Sequence, residues 1–341
     1  MSNAVTTADH VTDLSARERP LDVTLTRDVD PPTPAHNLLV GFHFGKSDDI
    51  EHPAIVNAGL VPIGGEDLYE CWWYKGDVEL KTIGNVRIAE CEDVAVTVLQ
   101  QPDAAAERFR KSTYDAYHEL LAGVQTTEHC HLVRIWNYFG DINEGEEDRE
   151  KYRQFSMGRA SAFEELGVFD EAVPTGTAIG TIGASELSII ALSSKHDFRP
   201  VENPRQVSAF RYPRQYGPKS PKFSRGGCVS VAEHSLFLIS GTAAIVGHES
   251  AHPHDTVLQI SETLRNLDEL CAAMSGLHDG PRLVLDNECV LRVYLRDSND
   301  LEFVARKLNG MFGSVRSNVV FLHANICRRE LMVEIDGVRI I

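Results

Sequence analysis

The chain has 341 residues, 43% apolar and 24% charged, the composition of a soluble globular protein with room for two domains of ordinary size. Its formal charge of −17 argues against general nucleic-acid binding. No run of about 18 apolar residues occurs, so no membrane helix is expected; seven cysteines without close pairing suggest reduced thiols in a cytoplasmic protein rather than a disulfide frame.

In chain order, residues 1–34 are expected to form a disordered or extended leader, because the polar start lacks the apolar core of a signal peptide. A first domain is expected over residues 35–198. A helix from near Asp103 to Leu121 closes at Gly123. The strand "HLVRIWNYFG" and a turn lead to a second helix, in which Tyr152, Phe155, Arg159, Ala162 and Phe163 share one face. Arg159 thus interrupts an apolar stripe. A buried guanidinium needs an anion, from the protein or from a ligand, unless it snorkels to water. The segment "IGASELSIIAL" closes the domain.

The second domain, residues 199–341, begins with a loop unlike the rest of the chain. Between Glu202 and Glu233 there is no acid, and Arg205, Arg211, Arg214, Lys219, Lys222 and Arg225 supply six cations. The stretch "AFRYPRQYGPKSPKFSRG" mixes in Tyr212 and Tyr216, and Pro213, Pro218 and Pro221 stiffen it. In an acidic chain such a loop, over residues 203–226, suggests a small anion; it could equally balance carboxylates nearby. Asp255 then caps a helix with apolar positions at Val257, Ile260, Leu264, Leu267 and Cys271. A strand from Leu291 to Leu295, another helix and the closing strand "CRRELMVEI" follow.

Both halves therefore run strands, helix, strand, helix, strand. The pattern predicts two α+β domains related by duplication, each a mixed sheet backed by helices. Aligning Leu187 with Leu331 sets Ile190 against Glu334 and Gly183 against Cys327. By alternation Glu334 faces away from Val333 and Ile335, toward water unless the other domain covers it. If covered, its carboxyl loses solvation and holds its proton near neutral pH. Cys327 and Glu334 are an odd number of residues apart. A regular strand would put them on opposite faces, so a bulge or an irregular strand start must intervene if both meet one ligand.

"GHESAHPHD" (His248 to Asp255) and "EHCH" (Glu128 to His131) invite a metal reading. The first satisfies the His-Glu-x-x-His spacing, but Pro253 and Gly247 argue for a loop where that motif needs a helix, so no metal is expected. "IGG" at Ile63 and "GTAIGTIG" lack the strand–turn–helix setting of a nucleotide loop.

The closing run "CVLRVYLRD…CRRELMVEI" resembles the RidA/YjgF-like fold. The set "RIWNYFGDIN", "FRYPRQYGPKSPKFSRG", "SGTAAIVGHES" and "ICRRELMVEIDG" is narrower, and over about residues 35 to 341 the chain resembles the chorismatase family. That resemblance implies cleavage of chorismate with release of pyruvate and without an organic cofactor or metal. It implies Glu334 as the proton donor and carries substrate contact onto Tyr152, Arg159, Tyr212 and Arg225. Arg211, Arg214 and Tyr216 are further candidates from the loop. Cys327 stands where the 3-hydroxybenzoate-forming branch has cysteine, which implies that product and a role for the thiol after cleavage. Other readings are hydrolysis to a dihydroxycyclohexadiene carboxylate, a RidA-like imine deaminase, or a small-acid-binding protein without turnover. No nucleic-acid or membrane partner is expected, and pseudo-symmetric packing of the two domains is expected to give a monomer.

Overall fold

The computed structural model describes residues 19–30, 33–46, 52–184, 186–278, 280, 282–312 and 318–341. Its first part is strands alone: β1 (Leu21–Thr26), β2 (His36–Phe44), β3 (Ile55–Asn57), β4 (Val61–Pro62) and β5 (Leu68–Lys75). Four of these make a sheet in the order β1-β5-β2-β3. Leu21–Thr26, expected in the leader, is thus a paired strand lying against β5; residues 1–18 and 31–32 of that leader lie outside the described residues.

Next come β6 (Glu79–Ile83), β7 (Val86–Glu90), β8 (Val94–Pro102), α1 (Ala106–Val124), β9 (His131–Gly140), α2 (Lys151–Glu165), β10 (Thr175–Thr181) and β11 (Glu186–Ser194). The last part holds β12 (Arg199–Val201), β13 (Gly226–Val231), β14 (His234–Ala243), the short pair β15 (Ile245–Val246) and β16 (Glu249–Ser250), α3 (Thr256–Met274), β17 (Val290–Leu295), α4 (Leu301–Phe312), β18 (Val319–His323) and β19 (Val333–Ile340). The sheet orders are β10-β9-β11-β8-β7-β6 and β12-β13-β14-β19-β17-β18-β4. Read from opposite ends, they superpose strand for strand, apart from the added β4. In each, the strand after the first helix pairs in parallel with the strand after the second. The duplication and the α+β class are present as expected.

Alternation builds the layers. On β19, Val333 and Ile335 join Leu264, Leu267 and Leu270 of α3 in a core behind the sheet, while Val338 and Ile340 point the other way. On β11, Leu187 and Ile189 join the α1 and α2 core, and Ile190 and Leu192 point the other way. These inward faces meet Phe42, Trp72 and their neighbours from the N-terminal sheet in one apolar core shared by all three sheets. The two helix-backed sheets thus bury most of their second face in this core, while the edge strand β6 is largely exposed. At its centre Arg292, fully buried, is held by Glu70 through Nε at 2.7 Å and Nη2 at 2.6 Å, and it lies 4.1 Å from the Phe42 ring centroid.

The register sets the neighbours of the closing strands. Glu334 lies opposite Tyr294, and Ser188 lies opposite Tyr138. Asp336 lies opposite Arg292, and Ile190 lies opposite Trp136. With Tyr138 matched to Tyr294, Glu334 corresponds to Ser188 and Asp336 to Ile190. Residues 327–330 form a bend and turn, and the strand begins only at Val333.

Edge strand β10 carries the contact between halves. Its Gly180 exchanges backbone hydrogen bonds with Asn325, and Gly176 N–H donates to Ser240 Oγ at 2.9 Å. A side chain on Gly180 would meet Asn325 Cβ at 2.8 Å, so glycine permits this approach.

Candidate active site

A cavity of about 570 Å³ opens beside that contact. The first half supplies loop 145–150, Tyr152 and Arg159 of α2, and Gly176 to Ala178 of β10. The basic loop supplies Tyr212, Tyr216, Phe223 and Arg225, and the second half supplies Gly241, the turn at Cys327 and Glu334. Loops form only part of the wall; the acid sits on a central strand, which fixes its position.

Glu334 is 4% exposed. Burial, reinforced by the nearby charge of Asp336, pushes its carboxyl up to about 8, against the opposing pull of Arg134 and Arg225. Its Oε1 lies directly over Gly241, where an added Cβ would stand 2.0 Å away. Only glycine leaves the carboxyl that space. A glycine inside a strand, in "ISGTA", was the available signal for a close approach, and sequence reasoning passed over it.

Of the two readings its stripe left open, burial holds: Arg159 does not snorkel to water and lies 4.9 Å from the Phe155 ring centroid. Its Nε and Nη2 have no hydrogen-bond partner among the described residues. Arg225 is buried as well. Its Nη2 donates to Tyr212 Oη at 2.6 Å and to the Val207 carbonyl at 2.9 Å, while Nε has no partner. Such orphaned guanidinium N–H groups on a cavity wall are able to donate to a carboxylate. Tyr212 has the extended backbone expected before Pro213, with φ −62° and ψ 140°. Burial and the adjoining Cys327 thiol raise the Tyr152 phenol, which stays a neutral donor.

Cys327 lines the same cavity as Glu334, and the irregular chain before β19 removes the parity conflict. Burial pushes its thiol up to about 12, with Glu334 adding to the effect, so it is a neutral S–H at physiological pH.

Two of the loop candidates sit elsewhere. Arg211 is exposed beside Phe210, and Arg214 pairs with Asp148 at 2.5 Å; neither lines the cavity. Three of the loop's six cations, Arg214, Lys219 and Lys222, clamp the halves together. Lys219 meets Glu164 at 2.6 Å and Lys222 meets Asp170, while Arg205 meets Glu262 of α3. Tyr216 does line the cavity, under a residue not foreseen: the Arg328 guanidinium lies 3.9 Å from its ring centroid. Arg328 is held there by the His248 carbonyl at 2.9 Å and Ser250 Oγ at 3.0 Å. His248 to His254 run from the β15–β16 turn through β16 into a further turn, with positive φ at His252 and His254, where a zinc-protease motif needs a helix.

A buried carboxyl whose pKa is raised, with cations around it, can support general-acid chemistry on a small anion. The comparisons narrow this. Residues 70–193 match the family model described as chorismatase FkbO/Hyg5-like, N-terminal. A 3-hydroxybenzoate synthase of Streptomyces hygroscopicus is 33% identical over 240 residues, covering 68% of this chain and 70% of its own. A chorismatase of Streptomyces rapamycinicus is 32% identical over 80% of this chain and 82% of its own. A chorismatase crystal structure superposes with a TM-score of 0.83 at 26% identity, covering 94% of this chain and 98% of that one. The chain belongs to the chorismatase family.

Proposed function

We propose that this protein cleaves the enolpyruvyl ether of chorismate, releasing pyruvate and forming 3-hydroxybenzoate. The observation that carries the reading is Glu334: a carboxyl at the cavity wall, buried and pushed up to about 8, beside arginines with unsatisfied N–H groups. Chorismate has two carboxylates. Arg159 and Arg225 hold one each, and the hydroxyls of Tyr152 and Tyr212 add donors.

Glu334 delivers its proton to the terminal methylene of the vinyl ether, which becomes a methyl group and leaves an oxocarbenium ion. The oxygen of the neighbouring ring hydroxyl attacks the ring carbon bearing the ether. That carbon–oxygen bond breaks, its electrons complete the pyruvate carbonyl, and the hydroxyl proton returns to Glu334. An epoxide remains on the ring. A neutral thiol is a poor nucleophile but a competent donor, so Cys327 acts as a proton relay. It protonates the epoxide oxygen as the ring opens, and its thiolate takes the ring proton whose loss gives the aromatic phenol. The thiol is thereby regenerated.

Both walls of the cavity come from one chain, which supports a monomer as the working unit. All seven cysteines are unpaired, which suits the reducing cytoplasm. Among the described residues no helix is long and apolar enough to cross a membrane.

Incubation with chorismate, followed by pyruvate assay and chromatography of the ring product, tests the reading. Pyruvate with 3-hydroxybenzoate is expected; pyruvate with a dihydroxycyclohexadiene carboxylate places the protein in the hydrolytic branch. Cys327→Ala should still release pyruvate while its 3-hydroxybenzoate fraction falls. An unchanged fraction would leave Cys327 a packing residue.

A further inference from the structure

Behind Glu334 lies a polar cluster that the reaction as written does not use. Asp336 is two residues along β19, so it projects to the same face. It is 1% exposed. Its Oδ2 accepts from Arg134 Nη2 at 2.8 Å, from Thr177 Oγ1 at 2.7 Å and from Tyr294 Oη at 3.1 Å. Arg134 and Thr177 come from β9 and β10 of the other half. Arg134 also donates to the Ile239 carbonyl at 2.6 Å and to Thr177 Oγ1 at 2.5 Å.

Thr177 Oγ1 joins this cluster to the catalytic floor. It accepts the N–H of Gly241 at 3.2 Å, and Gly241 is the residue on which the Glu334 carboxyl rests. An ion pair buried this deeply is weak as a stabiliser, because both charges lose their water. Hydrophobic residues could hold the halves together, as they do elsewhere in the central core. The duplicate places Ile190 where Asp336 stands, so the scaffold accepts an aliphatic side chain there.

We propose that the Arg134–Asp336 pair, docked through Thr177, governs when Glu334 holds its proton, with Asp336 as the positioning residue that keeps the acid loaded. This rests on Glu334 being the general acid. The charged and titratable groups facing Glu334 are Asp336 on its own strand, Tyr294 opposite it on β17, Arg134 from β9, Arg225 at the start of β13, Cys327 from the turn and Tyr152 from α2. Arg159 and Arg328 lie further along the wall. Asp336 is the fixed anion among them with a hydrogen-bonded tie to the floor under the acid. Its charge favours the neutral carboxyl, and Arg134 limits the effect by pairing with it. Because Arg134 and Thr177 belong to the other half, the acid is competent only when the halves are docked.

The test is the pH profile of pyruvate release, as kcat/KM, for Asp336→Asn. Removing the anion makes Glu334 easier to ionise. The alkaline limb should move to lower pH by roughly one unit, the scale on which a neighbouring charge acts. The double variant Arg134→Gln/Asp336→Asn removes the opposing cation too, so its limb should lie between that of the single variant and the wild type. An unmoved limb in a folded Asp336→Asn protein overturns the proposal, whatever its kcat. If the single variant does not fold, the double variant against the wild type decides: a limb below the wild type supports the proposal, and one at or above it overturns it. Glu334→Gln run in parallel separates the two ideas. Retained pyruvate release in that variant sinks the general-acid reading itself, whereas an inactive Glu334→Gln with an unmoved Asp336→Asn limb sinks only this inference.

Discussion

Glu334 and Ser188 occupy the same place in two copies of one sheet, each opposite a tyrosine on the neighbouring strand and each facing the inter-sheet side. Around Ser188 the space is filled. Its Oγ accepts from Gln100 Nε2 at 2.9 Å, Gln100 also reaches Glu186 and the Asn57 carbonyl, and Arg87 closes the cluster by binding the carbonyls of Pro53 and Ile55. The N-terminal sheet has brought its own chain, residues 53–57, into that groove. Around Glu334 the groove stays open because the opposing elements are α2 and β10, and because Gly176 and Gly241 line it. One scaffold thus gives a satisfied polar plug on one side and an underhydrated acid on the other. What differs is the covering element and the side-chain volume, not the strand that presents the residue.

The largest effect expected from breaking this difference is on catalysis. Glu334→Gln keeps the shape but cannot donate, and pyruvate release should fall by about two to four orders of magnitude with chorismate affinity largely kept, read by calorimetry. The reverse change probes the plugged side. Ser188→Glu puts a carboxyl next to Glu186 with no cavity to receive it, and should cost about 3–5 kcal/mol in denaturant titration. A carboxyl forced to stay protonated in the fold has its folded pKa above the unfolded value. The loss should therefore grow as pH rises above the ordinary carboxylate range. A Ser188→Glu protein as stable as the wild type at all pH values would mean that the two grooves do not differ as described.

Two arginines sharpen the comparison on a smaller scale. Arg159→Met removes orphaned N–H groups from the cavity wall and should weaken chorismate binding by roughly 2–5 kcal/mol. Arg214→Ala removes an exposed partner of Asp148 and should leave the Kd unchanged at physiological salt. Equal losses for both would return Arg214 to the site.

Much of this was legible in the chain. Helical spacing put Arg159 on an apolar stripe, and the repeated order of elements predicted the duplication; alternation put Glu334 on the face away from Val333 and Ile335 but left open whether water or the other half covers it. The N-terminal sheet was not legible: β5, "LYECWWYK", is buried on both faces, so it shows no alternation and has no counterpart in the repeat. The partners of the basic loop were hidden for another reason. Asp148, Glu164 and Asp170 lie far away in sequence, and charge pattern alone cannot tell a clamp from a ligand site. Asp336 was visible as an acid on the face of Glu334. Its meaning depends on Arg134, about two hundred residues upstream, and no local pattern links them.

The account stands on a carboxyl that keeps its proton through neutrality, and the pH dependence of pyruvate release by the wild-type protein measures that directly. As the general acid, Glu334 must be protonated to work, so kcat/KM should hold level through neutral pH and fall only as pH rises past about 8. A profile that already falls as pH rises past the ordinary glutamate value of 4.5 would show a solvated carboxylate at this position and contradict the account.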